Sequence, residues 1–404
     1  MPESFPLVSI IIPNYNHAQY IEDAIHSVLR QTYRNVEIIV VDDGSRDHSR
    51  EVIGAFGDKV RPIFQQNQGL SAARNTGITA SRGEFIGALD ADDMYEPEFI
   101  ETLVAALQSR PDADGVYCGY RFVDHLNRPL PQIEAREVAP ENLYWALVDG
   151  NFLVPEAMFA RKHCYDAVGL FDTSLRALED LDMWLRIASR FKVIHTTKIL
   201  TRHRILPGSM STDPTRQFEN RLQVVKKNFG AEPAPTGEWS GEQRRAYSRA
   251  YLVSAVEYLQ AKNEVRAYEC LRSMAIAQPA LLARVETFYE LACGDQPKGY
   301  RGEFASINLE QNARVTLRLL EELFADHELR LAGFKPSANA HACYAFGLLA
   351  YGQGNIRAAR KYFLGALRFQ PLLIGERAFV GFLLRSLLGA TLIHSLRRMM
   401  GRSK

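Results

Sequence analysis

Two acidic turns, Val41-Asp42-Asp43-Gly44-Ser45 and Leu89-Asp90-Ala91-Asp92-Asp93, each close a short apolar run within the first hundred residues. The runs at 7–12 and 36–41 are apolar and β-branched, the pattern of strands buried on both faces. Carboxylates at the ends of such strands stand at a sheet edge, where open α/β sheets bind their ligands. Asp90 and Asp92 are two residues apart, so one turn can aim both at a hard cation, which prefers oxygen ligands. A cation held there would neutralise a diphosphate. An Asp-Gly pair after a strand often does no more than make the turn. Two acidic clusters in successive βα units, with further polar signals between them, point instead to a nucleotide-diphosphate and metal site.

The rest of the first half repeats the same alternation. Residues 18–31 carry Ile21, Ala24, Ile25, Val28 and Leu29 at helical spacing. Helices are expected over 45–56 and 70–80, and strands over 60–65, 84–89, 115–123 and 193–200. Such βαβ repetition predicts an α/β domain with a mostly parallel sheet flanked by helices. Near Pro233-Ala234-Pro235-Thr236-Gly237 the character changes, and almost everything beyond is helical. The expected division is an α/β domain over 1–232, a linker over 233–240, an all-α domain over 241–376 and a basic amphipathic tail over 377–404. Phe346, Gly347, Ala359, Phe363, Ala366 and Pro371 fall on the spacing of a tetratricopeptide hairpin. Tyr251, Ala255, Tyr258, Ala267, Leu271 and Pro279 form a weaker copy. The prolines lie 92 residues apart, no multiple of a 34-residue repeat, so hairpins are expected without a regular array.

Composition narrows the function classes. With 48 Lys and Arg against 47 Asp and Glu, nothing advertises nucleic-acid binding. Five cysteines without CxxC spacing argue against a disulfide framework or zinc site and fit a reducing, cytoplasmic compartment. No signal peptide and no run of about 20 apolar residues is visible. From Arg377 to Lys404 there are six Lys or Arg and no acid. Phe382, Leu383, Leu387, Leu388, Leu392, Ile393 and Leu396 can line one helix face there. This combination suits peripheral contact with an anionic leaflet on the inner face of the membrane; the alternative is that the stripe packs on the preceding hairpin.

Five polar motifs occur in order: Pro13-Asn14-Tyr15-Asn16, Asp42-Asp43-Gly44-Ser45, the run Asn67 to Asn75, Asp90-Ala91-Asp92-Asp93, and Leu178-Glu179-Asp180 opening a helix. Over about residues 5–230 this succession resembles the non-processive family 2 glycosyltransferases of the GT-A fold. The resemblance implies an inverting transfer of one sugar from a nucleotide-diphosphate sugar to a hydroxyl of a glycan or lipid-linked acceptor. It assigns Pro13, Tyr15 and Asn16 to the nucleotide, with Tyr15 against the base. Asp43, more than Asp42, accepts a hydrogen bond from the base. Arg74 and Asn75 hold the nucleotide or the acidic turn. Asp90 contacts ribose or metal, and Asp92 binds Mg²⁺ or Mn²⁺ on the diphosphate. Asp180 is the general base and Glu179 orients the acceptor or its loop; the bland reading of that pair is a helix cap.

One departure stands out. The family commonly carries Tyr-Arg-x-His after the late strand, and the corresponding stretch here reads His203-Arg204-Ile205-Leu206. His203 and Arg204 are therefore only candidate phosphate contacts. The Gln-x-x-Arg-Trp motif of processive members is absent. Trp184, Leu185 and Ile187 read as the buried stripe of a helix. A rival reading makes the α/β part an inactive platform and the helical part a protein-interaction module, against which stand four retained acids, Asp43, Asp90, Asp92 and Asp180. A nucleotidyltransferase would need a glycine-rich triphosphate loop after the first strand, and a dinucleotide-dependent dehydrogenase a GxGxxG there; neither is present.

Overall fold

The computed structural model describes residues 5–206, 208–209, 212–233 and 237–387. The chain divides into two compact units, with the boundary in sequence after Asn228.

The first unit is built on a nine-stranded sheet: β1 (Val8–Asn14), β2 (Val36–Asp42), β3 (Arg61–Phe64), β4 (Phe85–Ala88), β5 (Met94–Tyr95), β6 (Gly115–Val123), β7 (Pro129–Glu134), β8 (Met158–Arg161) and β9 (Val193–Arg204). Their order is β3-β2-β1-β4-β8-β6-β9-β5, with β7 paired to β6. β1 to β4 are mutually parallel, and β6 is parallel to β9. The short β8 lies antiparallel between β4 and β6, so the sheet is mixed where the sequence predicts it mostly parallel. This leaves the ends of β1, β2, β4, β6 and β9 on one edge.

Alternation along β1 shows why the sheet takes helices on both sides. Val8, Ile10 and Ile12 face a core shared with α1 (Ile21–Leu29) and α4 (Phe99–Ser109), while Ile11 faces Ile78, Ile86 and Trp184 on the other side. All four β1 residues are at most 1% exposed, and each contributes about 1.5–3 kcal/mol of hydrophobic stabilisation. Pro13 faces β4 after the last β1–β4 pair, so its missing N–H costs no ladder bond and the two strands part there. The expected helix over 45–56 is shorter, α2 (Ser49–Gly54), followed by a 3₁₀ turn at Gly57–Lys59. The next helix, α3 (Leu70–Ala80), has the expected bounds. The poorly patterned stretch after Val123 holds β7, α5 (Leu143–Asp149), β8 and α6 (Lys162–Val168), and then come α7 (Glu179–Ala188) and α8 (Pro214–Phe229). Trp184, Leu185 and Ile187 are buried on α7.

The second unit is helical: α9 (Gly241–Gln260), α10 (Glu264–Ala277), α11 (Val285–Ala292), α12 (Leu309–Ala325), α13 (Lys335–Gly352) and α14 (Ile356–Phe369). Two hairpins share one turn chemistry. In α9–α10, Lys262 takes φ 58° and Asn263 caps the Arg266 N–H. In α13–α14, Gly354 takes φ 73° and Asn355 caps the Ala358 N–H. Each second helix ends at a Gln-Pro step that opens a 3₁₀ turn, Pro279–Ala283 and Pro371–Gly375. Gly347 lets α13 and α14 touch, since a Cβ there would lie 2.4 Å from the Phe363 ring.

A further helix covers 377–387. Its Phe379 is fully buried, edge-on to Tyr344 and Phe363, and Phe382 meets Tyr351. Of the expected apolar stripe, Phe382 thus packs on the preceding hairpin and Leu383 is buried, while Leu387 is exposed. Leu388, Leu392, Ile393 and Leu396, with the basic end of the tail, lie outside the described residues, as do Pro207, Met210, Ser211 and positions 234–236 of the expected linker. No helix among the described residues is long and apolar enough to cross a membrane.

Candidate active site

The edge formed by β1 and β2 is tied together before any ligand arrives. Asn14 donates from Nδ2 to Asp42 Oδ1 at 3.0 Å and to Ser45 Oγ at 3.1 Å. Asp42 is fully buried, and its other oxygen accepts from the Ser45 N–H and from Arg50 Nε. Its carboxylate faces the turn and offers no surface to a nucleotide. Asp43 points the other way. It accepts from Gln65 Nε2 at 2.7 Å, from the Gln68 N–H at 2.9 Å and from the Gly69 N–H at 2.8 Å. A carboxylate has about four acceptor positions, so one remains. Gly44, at φ 77°, makes the approach possible: a Cβ there would stand 2.9 Å from the Asn67 nitrogen. Asn16 also adopts a left-handed conformation and accepts from the Arg46 N–H. Tyr15 between them is 41% exposed, an open aromatic face at the rim.

At the end of β4 the chain turns through Asp90 to Asp93, closed by the Asp93 N–H donating to the Asp90 carbonyl at 3.0 Å. Arg74, on the first turns of α3, is 1% exposed. It donates to Asp90 Oδ1 at 2.6 Å and to Glu179 Oε1 at 2.5 Å, with Phe171 beneath its guanidinium. One buried cation therefore joins the acidic turn of β4 to the first residue of α7, which lies 105 residues beyond Arg74 in the chain. Burial alone would lower the Arg74 pKa, but the two carboxylates outweigh it and raise it. Asn75, next to it, exchanges both amide groups with the Phe171 backbone, which fixes the loop before α7.

No hydrogen bond engages the Asp92 carboxylate among the described residues. Burial first, then the charges of Asp93 and Asp90, push its pKa up to about 7. A half-buried, unbonded carboxylate crowded by like charge fits a cation, and an all-oxygen set fits Mg²⁺ or Mn²⁺.

α7 begins at an unusual point. Leu178 holds φ 57°, which costs a branched residue about 1–2 kcal/mol, and sends Glu179 inward to Arg74. Asp180 is half-buried, with Asn151 donating to Oδ2 at 3.2 Å and the Leu181 N–H to Oδ1 at 2.7 Å. Burial and then the neighbouring Glu179 charge raise its pKa to about 7, against the opposing pull of Arg74. A carboxylate poised there suits proton abstraction near neutrality.

His203 and Arg204, at the end of β9, are both engaged inside the protein. Arg204 is 5% exposed; it donates to the Asp92 carbonyl at 2.8 Å and the His125 carbonyl at 3.0 Å, and stacks over Tyr20. It thereby holds the acidic turn from behind and presents no fork to a phosphate. His203 Nδ1 lies 2.8 Å from Glu156 and 3.2 Å from Asp93. Burial would depress the imidazole, but the charges of Asp93 and Glu156 raise its pKa well above the ordinary range. Glu156, from a 3₁₀ turn before β8, carries no sequence signal; Asp93 was visible as the fourth residue of its motif.

Comparison with known proteins identifies the family. The model of the family described as "Glycosyl transferase family 2" matches residues 9–162, which include Asp43, Arg74, Asp90 and Asp92. An uncharacterized glycosyltransferase of Rickettsia typhi is 34% identical over 224 residues, 53% of this chain and 69% of that protein. Glycosyltransferase GlyG of Streptococcus pneumoniae is 42% identical over 122 residues, 29% of this chain and 40% of that one. Among solved structures, residues 1–349 of TarS from S. aureus share the fold, with a TM-score of 0.50 at 17% identity over 86% of this chain and 92% of that one. The family match and a relative 34% identical over 69% of its own length make this chain a glycosyltransferase that belongs to glycosyl transferase family 2.

Proposed function

We propose that the chain transfers one sugar from a nucleotide-diphosphate sugar to a hydroxyl of a glycan or lipid-linked acceptor, with inversion. The Arg74 bridge carries this reading, because it ties an acidic turn suited to the donor to an acidic helix start suited to the acceptor. The base would lie against Tyr15 and donate to the free position on Asp43, while Pro13 and Asn16 shape the rim. TarS has also been solved with UDP, which favours a nucleoside diphosphate as ligand class.

Asp92, aided by Asp90, would hold Mg²⁺ or Mn²⁺. When bound, that ion offsets the charge gathering on the departing diphosphate, so no protein acid is required. Asp180 takes the acceptor hydroxyl proton. The freed oxygen attacks the anomeric carbon from the side opposite the diphosphate, whose C–O bond breaks with its electron pair. Glu179, fixed by Arg74, keeps Asp180 and the acceptor in line. His203 and Arg204 support the turn and leave the phosphates to other groups.

The two like-built hairpins of the second unit support a tetratricopeptide-like role in holding a protein partner. The basic C-terminal end supports a cytoplasmic enzyme seated peripherally on the inner membrane face, where lipid-linked acceptors lie.

A panel of nucleotide sugars tests the reaction. With Mg²⁺ or Mn²⁺ and a hydroxyl acceptor, at least one donor should release its nucleoside diphosphate. Asp180→Asn should bind that donor without turnover. No donor bound or consumed at any metal concentration would refute the reading.

A further inference from the structure

Charge is unevenly spread along the chain. Residues 356–404 hold ten Lys or Arg and one acid, Glu376, while the preceding residues hold 46 acids against 38 bases. The near-zero total conceals a strongly basic end, the kind of asymmetry that marks an anionic partner.

The described part of that end also carries apolar side chains in water. On the 3₁₀ turn after α14, Leu373 is 1% exposed and anchors the turn, while Leu372 and Ile374 are 82% and 67% exposed. Phe369 and Leu364, on α14, are 45% and 49% exposed. Arg368 and Arg377 flank the turn and are exposed, and no ion pair engages either among the described residues. Aliphatic tips rimmed by unpaired cations mark an interaction surface.

We propose that this turn is the membrane-seating surface: Leu372 and Ile374 enter the acyl boundary of an anionic leaflet, and the flanking arginines meet its headgroups. The proposal rests on the peripheral reading above and names the surface that makes the contact, in place of Phe382 and Leu383, which face inward. Aliphatic tips have nothing to stack on in a nucleic acid. A second copy seated on the same face would oppose like charges.

Flotation of the full chain with phosphatidylcholine vesicles, with and without phosphatidylglycerol, separates the outcomes. Wild type should float with the anionic vesicles at low salt and much less at high salt. The Leu372→Asp/Ile374→Asp pair should bind at least about tenfold more weakly, with an unchanged thermal transition because neither side chain is in the core. If wild type floats and the double variant floats equally, the tail alone makes the contact and the turn proposal fails. If wild type does not float, the peripheral reading fails with it, whatever the transferase activity. A dimer in sedimentation that the double variant abolishes would assign the face to a second copy and also overturn the proposal.

Discussion

Arg74→Met isolates the bridge on which the site is built. The substitution keeps most of the volume and removes the cation between Asp90 and Glu179. Arg74 is 1% exposed and its partners' side chains 23% and 9%. Both bonds are charge-assisted, each worth about 1.5–3 kcal/mol, and deleting one partner of a buried pair costs about 3–5 kcal/mol. Asp90 can recover some hydration and Glu179 little, so the loss should fall within that range. For a unit of this size it corresponds to roughly 6–20 °C in Tm. Arg74→Lys keeps the charge but cannot fork to both carboxylates, and should lose about half as much. The transition is best read from Trp184, 1% exposed on α7, with Trp145 and Trp239 replaced by Phe. Arg74→Met within about 1 kcal/mol of wild type would show that the bridge contributes no more than a surface pair.

Three further outcomes follow from the same geometry. Asp180→Asn should lower kcat by about 10²–10⁴-fold with donor affinity nearly intact; transfer within a few-fold of wild type would reduce Asp180 to a helix cap. Because the raised Asp180 pKa stands at about 7 and the base works deprotonated, kcat/KM should climb between about pH 5 and 8, and a profile that levels off near the ordinary carboxylate range would contradict the role. Gly347→Ala, whose Cβ would meet Phe363 at 2.4 Å, should destabilise the helical unit by about 1–3 kcal/mol in calorimetry while donor binding is unchanged; an unaltered helical transition would show that α13 and α14 part freely.

The strands that carry the site were legible because burial on both faces leaves a near-continuous apolar run, interrupted only by Ser9 in the run of β1 and Glu37 in that of β2. α3 matched residue for residue, since Gly69 and the polar step after Ala80 bound it. The antiparallel β8 was not legible: four residues, Met158–Arg161, give too short a period to separate from a helix segment. Which acids belong together could be listed in sequence, but not how they are wired. Nothing local tells that Asp42 turns inward while Asp43 turns to the α3 loop, or that Arg204 spends its donors on backbone carbonyls. Those partners come from β1, α2, the loop between β3 and α3, and the turns after β4 and β6, and long-range pairing leaves no periodic trace. The Arg74–Glu179 link is of the same kind.

Calorimetric titration of a nucleoside diphosphate into the full chain, with Mn²⁺ and then with EDTA, addresses the central claim most directly. Binding should require the cation, and Asp92→Ala should lose most of the cation-dependent affinity while its fold is retained. Equal affinity in EDTA, or in Asp92→Ala with Mn²⁺ present, would contradict a metal-assisted donor site at the end of β4.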